Sequence, residues 1–237
     1  MSPSSSSPTI PKEQDADFYS SLGQNYEAAF GDDQGLVTFT RIALSYLPSQ
    51  CHVLDVGCGT GKPVVMSVVE AGHKITGIDI SDVMVRLSLK AVPVGTFEVA
   101  DMRTYGTDGR RFDAVFNMLS LFALRRHDIE LMAKRWNFWL PDRGTLAIGT
   151  VAAEDCHPES KGVEYDQDQL CARGIPFRFM SNDITLDLFT RDGWHILLVH
   201  NGFEIVETMT DLFTPPADAG CDPEPHYFIV ARKVKDI

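Results

Sequence analysis

The chain has 237 residues, 44% of them hydrophobic, with 21 Lys and Arg against 33 Asp and Glu and a formal charge of −12. That length and apolar content can bury a sizeable core in one domain, and the net negative field repels polyphosphate and anionic lipid, which argues against nucleic-acid and membrane-surface partners. No run of about 18 consecutive apolar residues occurs, so no membrane span is expected and the chain reads as soluble.

Taken in order, MSPSSSSPTIPKEQ is rich in Ser and Pro and has neither an apolar core nor a basic cluster. Residues 1–16 are therefore expected to form a flexible tail that is neither a signal nor a transit peptide. DFYSSLGQNYEAAF and LVTFTRIALSYL carry apolar residues at helical spacing, interrupted between Gly31 and Gly35, which predicts a two-helix cap over residues 17–48. An alternation then begins. HVLDV is a strand and KPVVMSVVEAG a helix ended by Gly72; KITGIDI is a strand and SDVMVRLSLKA a helix capped by Ser81. TFEVA, FDAVFNML and GTLAIGTV read as three more strands, with HDIELMAKRWNFWL as an amphipathic helix before the last of them. Residues 152–189 lose the pattern and read as an insertion in which FRFM forms at most an isolated strand. Thr190 caps a final helix, and GFEIVETMTDLF and HYFIVARKV close the chain as strands. Strand alternating with helix is the mark of an α/β, doubly wound, mostly parallel sheet, here of seven strands in a single domain over residues 17–237.

The five cysteines, Cys51, Cys58, Cys156, Cys171 and Cys221, form neither a CxxC pair nor a zinc-site spacing, which predicts a reduced, cytoplasmic setting and no metal centre.

The chemistry concentrates in VLDVGCGTGKP, residues 53–63. A glycine-rich turn after the first strand lies where open parallel sheets bind ligands. A phosphate-gripping P-loop is ruled out, because Val56 stands where the first glycine is required and Pro63 where Ser or Thr is required. A dinucleotide fingerprint fits poorly: Lys62 stands where its third glycine should be, and Asp55 would set a carboxylate near a pyrophosphate. A nicotinamide oxidoreductase stays open on that weaker footing, with NAD(H) binding as its signature. A nucleoside with a cationic, phosphate-free tail fits better. Asp55 can accept from an ammonium group, and Gly57, Gly59 and Gly61 let the ligand lie against backbone. Asp79, at the end of the second strand, can accept both ribose hydroxyls, and Asp101, after the third, an adenine amine. S-adenosylmethionine has these features.

VLDVGCGTG, TGIDIS and EVADM, in this order, resemble the first three motifs of class I S-adenosylmethionine-dependent methyltransferases, and the resemblance runs over about residues 51–151 with the last two strands matching as well. It implies a Rossmann-like sheet of order 3-2-1-4-5-7-6 with the seventh strand antiparallel. The GTGKP loop and the NYEAAF lead-in look most like the small-molecule methyltransferases of the ubiquinone-pathway and natural-product type. By that resemblance Asp55 and the three glycines hold the methionyl part and Asp79 the ribose. Ile80 and Met102 wall the adenine, Asp101 accepts its amine, Asn117 lines the site near the sulfonium, and Tyr19 and Tyr26 close over the cofactor. The implied partner is a small organic molecule of the kind made in secondary metabolism, methylated at oxygen, nitrogen or sulfur. A repurposed domain, using the bound cofactor for a ring closure or an elimination, is the alternative.

No catalytic base stands out. Relatives carry a His in the stretch matching SLFAL, where this chain has Ala123. His127, His157 and Tyr165 are the remaining candidates, with His195 and His200 read as packing or capping residues. The helical cap and the insertion at 152–189 are expected to roof the substrate pocket.

Overall fold

Alternation along the first strand fixes the core. In β1 (His52–Val56), Leu54 and Val56 face one side and Val53 the other, all fully buried, as strand geometry requires of a sheet covered on both faces. The computed structural model describes residues 12–237, and the remaining strands are β2 (Lys74–Asp79), β3 (Thr96–Val99), β4 (Ala114–Met118), β5 (Thr145–Val151), β6 (Cys171–Phe179), β7 (Asn182–Phe189), β8 (Phe203–Phe213) and β9 (Glu224–Lys233). Helices are α1 (Lys12–Phe30), α2 (Gln34–Ser45), α3 (Val64–Glu70), α4 (Asp82–Ala91), α5 (Arg126–Trp139) and α6 (Arg191–His200).

Seven strands form one sheet in the order β3-β2-β1-β4-β5-β9-β8, parallel through β5 and antiparallel where β9 meets β5 and β8. This is the expected order once the two strands of the insertion are counted in chain sequence. One face carries Leu54, Leu146 and Ile229 against Trp136 of α5 and Trp194 of α6; the other carries Val53, Ala147 and Phe228 against Phe39 of α2 and Val65 of α3. The predicted caps are in place: Ser81 Oγ accepts from Met84 N at 3.2 Å and Thr190 Oγ1 from Gly193 N at 2.9 Å. Lys233 is fully buried at the end of α5, where its ammonium donates to the carbonyls of Asn137 and Leu140 at 2.8 and 2.9 Å.

Three boundaries differ from the sequence reading. Helix α1 begins at Lys12, so residues 12–16, expected as tail, are helical, while the rest of the expected tail (1–11) lies outside the described residues. Helix α3 starts at Val64 because Pro63 takes the N-cap position. The insertion is not a lone strand at FRFM but an antiparallel hairpin, β6 with β7, preceded by two short 3₁₀ turns. Gly174 at φ 74° sits in its bulge and Pro176 follows, two residues that ordinarily argue against a strand. The hairpin is a separate two-stranded sheet, and its Ile175, Phe177, Phe179 and Leu186 pack with Leu22, Ala29 and Phe30 of α1 in a third apolar cluster above the main sheet. Helix α1 kinks at Gly23 to follow it. No helix among the described residues is long and apolar enough to cross a membrane.

Candidate functional site

The loop after β1 is tied to the second strand by its backbone, since Gly57 N and Cys58 N both donate to Ile78 O at 2.8 and 2.9 Å. Gly57 holds φ 79°, and a Cβ there would stand 2.3 Å from Ser120 Cβ, so the loop and the segment after β4 touch with no room for a side chain. Gly59, at φ 53°, has nothing nearer than Tyr26 Cε1 at 4.0 Å, which leaves its bare backbone facing open space. That space is a cavity at the carboxyl ends of the parallel strands, walled by Gly57, Gly59, Asp79, Ile80, Asp101 and Met102, with Tyr19 and Tyr26 from α1 above. The place is the one where open α/β sheets bind ligands.

The three acids of the sequence reading fare differently. Asp79 lies on the wall with both oxygens engaged by backbone, Oδ1 accepting from Ser81 N and Oδ2 from Gly59 N, each at 2.9 Å. A carboxylate offers about four lone-pair sites, so acceptor capacity remains for a ligand's hydroxyls. Burial raises its pKa against the lowering effect of those amide donors. Asp101 is also on the wall, but Arg103 already grips it through Nε at 3.0 and 3.1 Å and through its backbone N at 2.8 Å. Asp55 is not on the wall: it lies beneath the loop, 2% exposed, with Oδ1 lacking any hydrogen-bond partner. Burial, and then the charge of Asp79, push its carboxyl up to about 7.

Two further residues of the sequence reading stand behind the wall. Gly61 packs on α4, where an added Cβ would lie 3.1 Å from Ser88 Cα. Asn117 is a fully buried brace: its Nδ2 donates to Val56 O at 3.0 Å and to Ser120 Oγ at 2.5 Å, while Oδ1 accepts from Trp136 Nε1 at 3.2 Å. It holds the loop on α5 and does not line the cavity, whereas Ser120 does. Cys58, under the loop, has its thiol raised well above the usual value by burial and is inert as a nucleophile.

A second cavity, of about 680 Å³, shares Tyr19, Tyr26 and Leu119 with the first. Its sides are aromatic, from Phe30 of α1, Phe122, and Phe177 and Phe179 of β6, and it also holds the carboxylates of Asp33 and Glu224. Burial, followed by nearby acids, holds the phenols of Tyr19 and Tyr26 far above their ordinary range, so both rings stay neutral donors.

None of the candidate bases borders either cavity. His127 is exposed on the first turn of α5, beside a shallow hollow of Arg126, Asp166, Asp168 and Arg173. His157 is exposed at φ 48°, and Tyr165 is half-buried where it bridges Ala172. His195 and His200 are exposed on α6. Sequence reasoning missed Asp15, Arg103 and Ser120 on the first wall, and the buried trio Asp33, Glu224 and His226 beside the second. Asp15 fell inside the expected tail, and the trio is assembled from distant, motif-free positions.

Residues 53–144 match the family model described as a methyltransferase domain. Among curated proteins the chain is 29% identical over 164 residues to a glycine N-methyltransferase of Rattus norvegicus, covering 59% of this chain and 52% of that protein. It is 29% identical over 121 residues to a trans-aconitate 2-methyltransferase of Paracidovorax citrulli, covering 50% and 46%. The chain thus spans about half the length of the curated relatives it matches. Among solved structures, the 1,6-didemethyltoxoflavin-N1-methyltransferase of Burkholderia thailandensis, with bound 1,6-didemethyltoxoflavin and S-adenosylhomocysteine, superposes with TM-score 0.68 at 18% identity, over 99% of this chain and 95% of that one. The N-methyltransferase NodS of Bradyrhizobium japonicum, in complex with S-adenosylhomocysteine, gives 0.67 at 12% identity, over 94% and 99%. These two likenesses establish the fold, and the family match places its chemistry-bearing segment. Residues 53–144 thus resemble a methyltransferase domain, set in a fold that the chain shares with these two solved methyltransferases.

Proposed function

We propose that the protein binds S-adenosylmethionine in the first cavity and transfers its methyl group to an oxygen, nitrogen or sulfur of a small organic molecule, of the secondary-metabolite kind, held in the second. The observation that carries this reading is the buried acid pair at the glycine loop. Asp55 has a buried, unpartnered oxygen and a carboxyl at about 7, and Asp79 is raised with it. The one basic side chain on that cavity wall among the described residues, Arg103, is already spent on Asp101 and on Asp15 at 3.6 Å. A phosphorylated ligand would meet further negative charge, whereas a cationic nucleoside lowers the cost of both acids. Gly59, whose added Cβ would project into the same space, fits a ligand lying on backbone.

With the cofactor bound, the sulfonium supplies an activated methyl carbon. The residues of this chain position the reactants. Asp79 accepts the ribose hydroxyls, Ile80 and Met102 sandwich the base, and Tyr19, Tyr26 and Leu119 form the partition between the two cavities. In-line displacement needs the acceptor about 3–3.5 Å from the methyl carbon and water kept out. The apolar walls of the second cavity supply the exclusion. The N-terminal helical cap (17–48) and the insertion (152–189) give this cavity most of its lining, which supports a single domain whose roof is built from those two segments.

Calorimetry with S-adenosylmethionine and S-adenosylhomocysteine tests the reading. Both should bind the wild type, and Asp79→Ala should weaken each at least tenfold; absence of binding, or an unaffected Asp79→Ala, ends it. Methyl-labelled cofactor offered with a cell extract should then mark a small molecule.

A further inference from the structure

Behind the second cavity three ionisable groups meet out of water. Asp33, the N-cap of α2, is 1% exposed, Glu224 at the start of β9 is 3% exposed, and His226 is fully buried between them. His226 Nε2 is 2.9 Å from Glu224 Oε2, a hydrogen bond. Its Nδ1 lies 3.3 Å from Asp33 Oδ2, an ion-pair contact without hydrogen-bond geometry, so both atoms are left without a hydrogen-bond partner. Asp33 Oδ1 accepts from Leu36 N at 2.9 Å, which fixes the carboxylate in place. The imidazole is clasped between Phe213, stacked at 5.9 Å, and Phe228, edge-on at 5.4 Å.

Charge follows from this packing. Burial alone would discharge His226, but its contacts with Asp33 and Glu224 outweigh burial and hold its pKa up at about 9. The trio thus sets two acidic groups against one basic group, out of water. Asp33 and Glu224 both border the cavity. The other charged group on its wall, Lys62, is already paired with Glu27 at 2.9 Å. The phenols of Tyr19 and Tyr26 are neutral. Around this negative floor stand the aromatic faces of Tyr26, Phe30, Phe177 and Phe179, a surrounding that attracts cations through the ring quadrupole and flat bodies through stacking. An acceptor bearing a carboxylate would be repelled by the floor and would find no free base to pair with.

We propose that the aromatic cavity floored by Asp33 and Glu224, with His226 buried behind them, is the acceptor subsite for an amine carried on a flat, apolar body, with Glu224 accepting the proton that the nitrogen must lose. The inference rests on the methyl-transfer reading above and narrows it to nitrogen. The bound ammonium gives one proton to the Glu224 carboxylate, which holds it until the methylated product leaves. The freed lone pair forms the new N–C bond as the C–S bond breaks, the bonding pair going to sulfur, so one positive charge leaves on the methylated nitrogen.

Matched probes test this with the full chain saturated in S-adenosylhomocysteine. Tryptamine and indole-3-acetate share a flat body and differ in the sign of their charge. Calorimetry should show tryptamine binding at least tenfold more tightly than indole-3-acetate, and Glu224→Gln and Asp33→Asn, both near-isosteric, should each cut that preference at least fivefold. Retained S-adenosylhomocysteine affinity in the two variants certifies that they are folded. Equal or tighter binding of the anion, a preference unchanged in both variants, or no binding of either probe at about 5 mM overturns the amine assignment. Failure of S-adenosylhomocysteine to bind the wild type would instead remove the underlying reading, so the two failures are distinguishable.

Discussion

Replacing Asp55 by asparagine should make the ligand-free protein more stable while weakening its hold on the cofactor. Its carboxyl is buried, one oxygen lacks a partner, and its pKa is lifted from 3.8 to about 7, first by burial and then by Asp79. Between these two values the folded chain keeps a proton that the unfolded chain has released, so stability falls as pH rises through the window, and the loss is complete above about pH 7. A gap of about three pKa units corresponds to a ceiling of about 4 kcal/mol against the ionised folded form. The asparagine amide is itself left incompletely bonded, which returns about 1–3 kcal/mol, so the expected net gain at pH 8 is about 1–3 kcal/mol. At pH 4 the wild-type acid is protonated in the folded state, the ionisation penalty is nearly gone, and the amide cost should leave the variant about 1–3 kcal/mol less stable than wild type. Asp79 is raised too, and because the two acids repel each other, the difference between the proteins also contains the relief of that repulsion. Urea unfolding at pH 4, 6 and 8 measures the gain, and calorimetry with S-adenosylhomocysteine at pH 8 should show at least tenfold weaker binding by the variant. A variant less stable than wild type at pH 8, or a difference that does not grow with pH, would refute the argument.

Gly57→Ala should cost about 2–4 kcal/mol by urea unfolding, since it combines a left-handed φ of 79° with a Cβ placed 2.3 Å from Ser120 Cβ; adding Ser120→Gly should recover part of the loss, leaving about 1 kcal/mol of backbone strain. Asn117→Ala removes the acceptor of Trp136 Nε1 and two donated bonds in a site closed to water, and should lower the unfolding free energy by about 2–4 kcal/mol. His127→Ala and His157→Ala, both exposed and outside the two cavities, should leave methyl-transfer turnover within about twofold of wild type, measured as label incorporation per minute.

The main sheet was legible because its physics is local. Buried parallel strands write themselves as short apolar runs such as VLDV and AVFNM, and the intervening helices carry their own caps at Ser81 and Thr190. Of the cofactor residues, Asp79, Ile80, Asp101, Met102, Gly57 and Gly59 come together on one wall with Tyr19 and Tyr26, because each follows a strand end or sits on the helix above. Position relative to the wall was not legible: Asp55, Gly61 and Asn117 are adjacent in sequence to lining residues yet point behind them, a matter of side-chain direction that spacing does not encode. The hairpin stayed hidden because Gly174 and Pro176 break the strand signature while Ile175, Phe177 and Phe179 alternate inward around them. The Asp33–His226–Glu224 trio joins a helix cap near the start of the chain to its closing strand, and no local pattern announces such a meeting.

The insertion hairpin shares no ladder with the seven main strands. Its residues can be exchanged without shifting the register of β4 or β5, so the glycine loop after β1 is insulated from the hairpin wall of the second cavity. A lineage built on this scaffold can therefore reshape the aromatic cavity by redrawing a single two-stranded flap, at little risk to the half of the molecule that carries the glycine loop.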